Sequence, residues 1–194
     1  MNFFLILISA ALINNYVLTQ FLGMCPFFGV SRKTETAFGM GLSVMFVMTI
    51  ATALTYVFFN VVLKYFEMEY LQTIVFILII ASIVQFVEVF MKKKIRALYG
   101  KLGIYLPLIT TNCAILGVTL INIKDDEIDT FVKAIVNSLG AGLGFLLAIV
   151  LLSAIREKYE NHPDIPWIFN GFPLALFSAG LMSIAFLGFQ GIGR

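Results

Sequence analysis

Charge is scarce in this chain. Only 12% of its 194 residues are charged while 60% are apolar, and with a strongly positive mean hydropathy the balance lies outside what a soluble domain of this size shows. The shortage leaves no room for a soluble catalytic domain, because the longest polar stretches, residues 92–101 and 156–166, are loops of about ten residues. Histidine is scarcer still. The single imidazole, His162, stands in the run His162-Pro163-Asp164-Ile165-Pro166-Trp167 and reads as a solvated loop residue. No catalytic triad, nucleotide-binding loop or flavin-attachment motif is present. A net charge of +2 calls for no nucleic-acid partner, since the Lys/Arg cluster is explained by membrane topology.

Apolar length is what the chain does have. Stretches of about 20 mostly apolar residues, enough to cross a bilayer, fall at residues 3–30, 37–63, 70–91, 102–123, 130–155 and 167–190. The fold class expected is therefore an all-α membrane protein with six transmembrane helices. A spanning segment must satisfy its own backbone hydrogen bonds, and these are too long and too uniformly apolar for barrel strands. The first has no basic n-region and no convincing small-residue cleavage site, so it reads as a retained span.

Basic residues set the orientation. The first, third and fifth loops carry Arg32 and Lys33; Lys92, Lys93, Lys94, Arg96 and Lys101; and Arg156 and Lys158. The other side has Lys64, Lys124, Lys133 and Arg194. Both termini are then expected on the outer side of the membrane, with the basic third loop in the cytoplasm. Trp167 and Tyr159 read as interfacial anchors.

The two cysteines lie in matching frames, Cys25-Pro26-Phe27-Phe28-Gly29-Val30-Ser31 and Cys113-Ala114-Ile115-Leu116-Gly117-Val118-Thr119. A second echo follows each: Phe38-Gly39-Met40-Gly41-Leu42 and Leu139-Gly140-Ala141-Gly142-Leu143. Repetition on this scale points to two halves, residues 1–101 and 102–194, of three spans each. An odd number of crossings puts the halves in opposite orientations, as two inverted three-helix repeats with functional sites near the midplane. The glycines at 39, 41, 140, 142 and 144 allow close helix packing.

Depth tests the cysteines. Cys113 is twelve residues into its span, near mid-bilayer at about 1.5 Å per residue. Cys25 reaches that depth only if its overlong span is broken or re-entrant, and Gly23 and Pro26 are the residues to break it. Pro107, Thr110, Thr111 and Asn112 are the parallel breakers before Cys113. Paired broken first helices point to a buried site. A lone membrane cysteine is commonly an apolar filler, but matching frames beside matching breakers favour half of a metal or iron-sulfur site. Two thiolates do not complete a [2Fe-2S] cluster, which normally takes four, so a second chain would supply the rest.

Other polar residues have bland readings beside sharp ones. Glu88, four residues before Lys92, reads as a helical ion pair or an interface residue, with an ion-coupling carboxylate as the alternative. Asn14, Asn15, Thr110, Thr111 and Asn112 are helix caps by default or the lining of an ion path. A small-molecule transporter with inverted repeats is the competing function, and it would tolerate serine at both cysteines.

The stretch from Asn14-Asn15-Tyr16-Val17-Leu18 through Leu22-Gly23-Met24-Cys25-Pro26-Phe27, together with Leu106-Pro107-Leu108-Ile109-Thr110-Thr111-Asn112-Cys113, closely resembles the Rnf/Nqr membrane-subunit family. Within it the resemblance is to the A-type subunits of the Rnf ion-translocating ferredoxin:NAD oxidoreductase complex, over the full length. The E-type subunit of the sodium-translocating NADH:quinone reductase is the near relative, sharing the Leu-Gly-Met-Cys and Leu-Pro-Leu-Ile cores. The resemblance implies a prokaryotic cytoplasmic-membrane protein that pairs with a homologous, E-type Rnf subunit of opposite orientation. It implies that Cys25 and Cys113 each ligate an intramembrane [2Fe-2S] cluster shared between the two. Electrons would pass from a cytoplasmic iron-sulfur subunit to a flavin-bearing subunit on the outer side, coupled to export of Na+ or H+ and to NAD+ reduction on other subunits.

Overall fold

The computed structural model describes residues 3–63, 71–94, 108–109, 112–125, 128, 130–160 and 171–190, and every regular element among them is helical. In chain order these are α1 (Phe3–Ile8), running into a π-helical turn at Ser9–Ile13, then α2 (Tyr16–Gln20), α3 (Met24–Val30) and α4 (Thr34–Phe58), which ends in a second π-turn at Phe59–Leu63. After them come α5 (Gln72–Lys94), α6 (Cys113–Lys124), α7 (Phe131–Glu160) and α8 (Phe172–Gln190). Two stretches, Thr34–Val61 and Phe131–Tyr159, are individually long and apolar enough to cross a membrane. Phe3–Ile13, Gln72–Phe86, Cys113–Lys124 and Phe172–Gly188 are shorter apolar helices.

The central pair is α4 and α7, and glycine brings their backbones together. A Cβ at Gly41 would lie 3.1 Å from the Leu146 Cα, and one at Gly142 would lie 3.0 Å from the Met45 Cα. The two contacts are reciprocal: Gly41 and Gly142 are the matching glycines of the repeated motif, and Met45 and Leu146 each follow them by one helical turn. Such mutual seating is what a two-fold relation between two helices produces. Small residues at a membrane helix crossing permit this approach, and the resulting dispersion contacts hold the pair where no hydrophobic effect acts between helices. Both helices bury an apolar face, with Met40, Val44, Met48, Phe145, Ile149 and Leu152 almost fully enclosed.

Along α7 a second small face, Gly140 and Gly144, receives α1 and the π-turn that follows it. Added Cβ atoms there would stand 2.8 Å from the carbonyl oxygens of Leu7 and Ala11. The π-turn and the Asn14-Asn15 break follow at this contact. Asn15 ends the break by capping α2, its Oδ1 accepting from the Val17 amide at 3.2 Å while its Nδ2 donates to the Gly144 carbonyl at 3.0 Å. One buried side chain thus starts a new helix and ties the break to α7. The opposite end of α2 leaves its own orphan: the Leu22 amide donates to Tyr16 O and not to Leu18 O. The Ser183 hydroxyl of α8 supplies the missing donor at 2.5 Å, as the unpaired carbonyls of a helix end require.

Outside this core many large apolar side chains face outward, including Phe4, Phe46, Ile74, Phe86, Phe177 and Ile184, each more than half exposed. Lipid or a neighbouring membrane protein is the environment that tolerates such a surface. The helix runs past the end expected at residue 91, since Lys92, Lys93 and Lys94, read from sequence as loop residues, belong to the last turn of α5. Residues 95–107, 110–111 and 161–170, with Pro107, Thr110, Thr111, His162 and Trp167, lie outside the described residues.

Candidate functional site

The path to Cys25 is set by backbone geometry at the end of α2. Phe21 and Gly23 both take left-handed conformations, φ 56° and 81°, which reverse the chain between α2 and α3. Gly23 adopts this without a Cβ penalty, while Phe21 bears a strain of about 1–3 kcal/mol. Cys25 is the second residue of α3 and Pro26 the third. Here the structure refines the expected break. Gly23 makes it, together with Phe21, whereas Pro26 sits buried inside the first helical turn, where its missing N–H would have had no helical partner anyway.

Cys113 reaches an equivalent place by another route. Asn112 caps α6, its Oδ1 accepting from the Ala114 amide at 3.0 Å, so that Cys113 is the first residue of the helix. The Asn112 amide donates to Ile109 O at 3.2 Å. Asparagine serves at both Asn15 and Asn112 because its short amide oxygen reaches an amide two residues on and satisfies one of the free donors of the first turn. The Asn112 side-chain nitrogen, by contrast, is buried and makes no hydrogen bond among the described residues.

The two cysteine helices start against each other. The Gly23 amide, immediately before the Cys25 helix, donates to the Cys113 sulfur at 2.8 Å. No side chain fits between them: a Cβ on Gly23 would meet the Ala114 Cβ at 3.0 Å and Asn112 Oδ1 at 3.1 Å. The shared Cys-x3-Gly spacing now has a physical reason. Residues four apart lie one above the other on a helix. Gly117, below Cys113, is roofed by Leu22 from the segment leading to Cys25, with an added Cβ only 2.6 Å from Leu22 Cδ1. Gly29, below Cys25, faces Leu108 from the segment leading to Cys113 at 3.9 Å.

Both thiols are free and exposed. Each stands in the first turn of a helix, where unpaired amides and the helix dipole favour negative charge, and one already accepts an amide hydrogen. Such a setting suits thiolates that bind a soft metal. Among the described residues no group of three or more His, Cys, Asp or Glu side chains gathers anywhere. Residues 3–193 match the sequence model of a family described as "Rnf-Nqr subunit, membrane protein".

The chain belongs to the Rnf-Nqr family. It is 55% identical over 192 residues to the A-type subunit of the Na(+)-translocating ferredoxin:NAD(+) oxidoreductase complex of Acetobacterium woodii, covering 99% of this chain and 98% of that protein. The A-type subunit of the ion-translocating oxidoreductase complex of Syntrophotalea carbinolica is 50% identical over 191 residues, with 98% and 97% covered. That of Alcanivorax borkumensis matches with the same identity and coverage. This Rnf-Nqr chain is thus a bacterial-type membrane protein, similar along its whole length to subunits of oxidoreductase complexes.

Two features of the site have no local signature in sequence. Arg156, read from sequence only as an orientation marker, is buried behind α3, with Nη1 donating to Phe28 O at 3.0 Å and to Ser31 Oγ at 2.8 Å. A polar chain also runs through the core of this Rnf-Nqr protein. Asn137 Nδ2 donates to Asn122 Oδ1 at 2.6 Å, Asn122 Nδ2 to Ser138 Oγ at 2.9 Å, and Ser138 Oγ to Thr52 Oγ1 at 2.7 Å. Tyr16 hydrogen-bonds Asn137 at one end. Glu88 lies on α5, and its side chain is outside the described residues.

Proposed function

We propose that this chain is the electron-carrying membrane subunit of an ion-translocating ferredoxin:NAD+ oxidoreductase complex, with Cys25 and Cys113 providing half the ligands of a [2Fe-2S] cluster. Family membership and near-complete coverage by A-type relatives support the placement in such a complex. The observation that carries the cluster assignment is that two free, exposed thiols stand in the first turns of two helices whose starts meet, the Gly23 amide before the Cys25 helix donating to the Cys113 sulfur. The residues fit the group in kind: soft ligands, amide donors for its negative charge, and openness to a second chain for the remaining two thiolates.

When bound, such a cluster supplies a one-electron carrier at membrane depth. The chain's own part is to hold it. Cys25 and Cys113 bind it, Gly23 and the first turns of α3 and α6 oppose its charge, and the Leu22 and Leu108 segments close the space beneath the thiols. A homologous subunit of opposite orientation is the partner that fits, since it offers an equivalent thiol pair. An iron-sulfur subunit on the cytoplasmic side and a flavin-bearing subunit on the outer side stand as donor and acceptor. Six spans arranged as inverted repeats 1–101 and 102–194 agree with the reciprocal seating of Gly41 and Gly142. In the bacterial cytoplasmic membrane both termini then face outward, as the Lys/Arg distribution favours.

The test is iron content and electron paramagnetic resonance of the complete complex, purified without oxygen, for the parent protein and for Cys25→Ser and Cys113→Ser. Either substitution is expected to remove one [2Fe-2S] signal and halt electron transfer from ferredoxin to NAD+. Serine variants that keep every iron signal and full electron transfer would defeat the assignment and favour a transporter.

A further inference from the structure

Cys25 rides on a helix of seven residues. A helix this short has no stability of its own in isolation, because nucleation outweighs the few hydrogen bonds it makes. Its position is therefore set by its surroundings: Pro26, Phe27 and Val30 are buried in the core, and polar contacts fix its two ends. One end is the Gly23 amide against the Cys113 sulfur. The other is a guanidinium.

Arg156 projects from α7, 7% exposed, to the last turn of α3. Its Nη1 donates to the Phe28 carbonyl, one of the acceptors a helix end leaves unpaired, and to the hydroxyl of Ser31, the residue after α3. Ser31 is itself fully buried and donates to Phe28 O at 3.4 Å. Carbonyl, hydroxyl and guanidinium thus close a three-membered clamp behind the cysteine helix. Burying an arginine is costly and persists where its donors are met. Lysine would deliver a charge to the same helix end, but its rotating ammonium lacks the rigid plane that fixes the direction of the two Nη1 hydrogens. From Cys25 to Ser31 the helix rises about 9 Å, so the fixed positive charge lies within one short helix of the thiol, in surroundings that screen it poorly.

We propose that Arg156 is a positioning residue for the thiol pair. It holds α3 in register so that the Gly23 amide meets the Cys113 sulfur with Cys25 two residues on, and its charge favours the reduced, more negative state of an iron-sulfur group on those thiols. The inference rests on the reading of Cys25 and Cys113 as cluster ligands.

The experiment uses the whole complex, purified without oxygen, carrying Arg156→Met, Arg156→Lys or Ser31→Ala. Each is titrated with dithionite and redox mediators while the paramagnetic signal that depends on Cys25 and Cys113 is followed. Arg156→Met is expected to lower the midpoint potential and broaden the signal. Arg156→Lys should restore the potential but keep the broadened line, because charge returns without the rigid guanidinium plane. Ser31→Ala should broaden the line at unchanged potential. A parental potential and line shape in Arg156→Met, or in Arg156→Lys a parental line shape, overturns the proposal. Should Arg156→Met fail to assemble, the lysine and alanine variants decide by line shape alone. A signal that survives Cys25→Ser and Cys113→Ser removes the underlying ligand assignment instead, a result these arginine variants cannot mimic.

Discussion

Replacing Gly23 by alanine tests whether the meeting of the two cysteine helices depends on one absent methyl group. Two costs arise together. At φ 81° an L-residue gives up about 1–2 kcal/mol relative to glycine. The new Cβ would also stand 3.0 Å from the Ala114 Cβ and 3.1 Å from both Asn112 Oδ1 and Phe145 Cε2. All three neighbours are buried, and two belong to the first turn of α6 and its cap, so relief requires the helices to part by a few tenths of an ångström. Overpacking of this kind costs about 1–3 kcal/mol. Together the loss is about 2–5 kcal/mol. Thermal denaturation of the purified complex, followed by loss of the assembled species on size exclusion, reads the effect. Gly23→Asn shifts the balance of the terms, because asparagine tolerates the left-handed conformation but puts a larger side chain into the same gap, so crowding alone should still cost at least about 1–3 kcal/mol. Gly180→Ala is the control, since a Cβ there meets nothing within 4 Å and a helical glycine gains about 0.5–1 kcal/mol on becoming alanine. If Gly23→Ala denatures at the parental temperature, the close approach is not what holds the site.

Two further substitutions probe the scaffold. Gly142→Leu should separate α4 from α7 and destabilise by about 1–3 kcal/mol or more, because its side chain would start 3.0 Å from the Met45 Cα; expression as a monodisperse, parent-like species would contradict the crossing. Ser183→Ala leaves Leu18 O without the donor that holds it at 2.5 Å and should lower stability by about 1–3 kcal/mol, whereas Ser183→Thr, which keeps the hydroxyl, should recover much of the loss in the same thermal assay.

Much of this site is legible in the sequence because its determinants are local. The Cys-x3-Gly frames, the caps at Asn15 and Asn112 and the paired glycines at 41 and 142 are fixed by spacing along one helix, and spacing is what a sequence displays. Pro26 shows where local reasoning slips. Proline ends helices when it interrupts them and begins them when it falls in the first turn, and only the left-handed backbone at Phe21 and Gly23 decides between the two. Arg156 and the chain from Asn137 to Thr52 are invisible for a different reason. The guanidinium joins a residue 125 positions away, and Ser138 joins one 86 away. Nothing in the neighbourhood of either partner marks the pairing, and hydropathy sees Arg156 only as a charge at a span's end.

The reciprocal seating of Gly41 on Leu146 and Gly142 on Met45 also imposes an order in time. Neither half of the crossing has a surface that closes on itself, so α4 enters the membrane with its glycine notch unfilled. At a bacterial synthesis rate of about 5–20 residues per second, Gly41 waits on the order of 5–20 s for Leu146 to be made. During that interval the first half is an open surface in a crowded bilayer, and whatever insertion factor or neighbouring subunit covers it then governs how much of the chain reaches its assembled form.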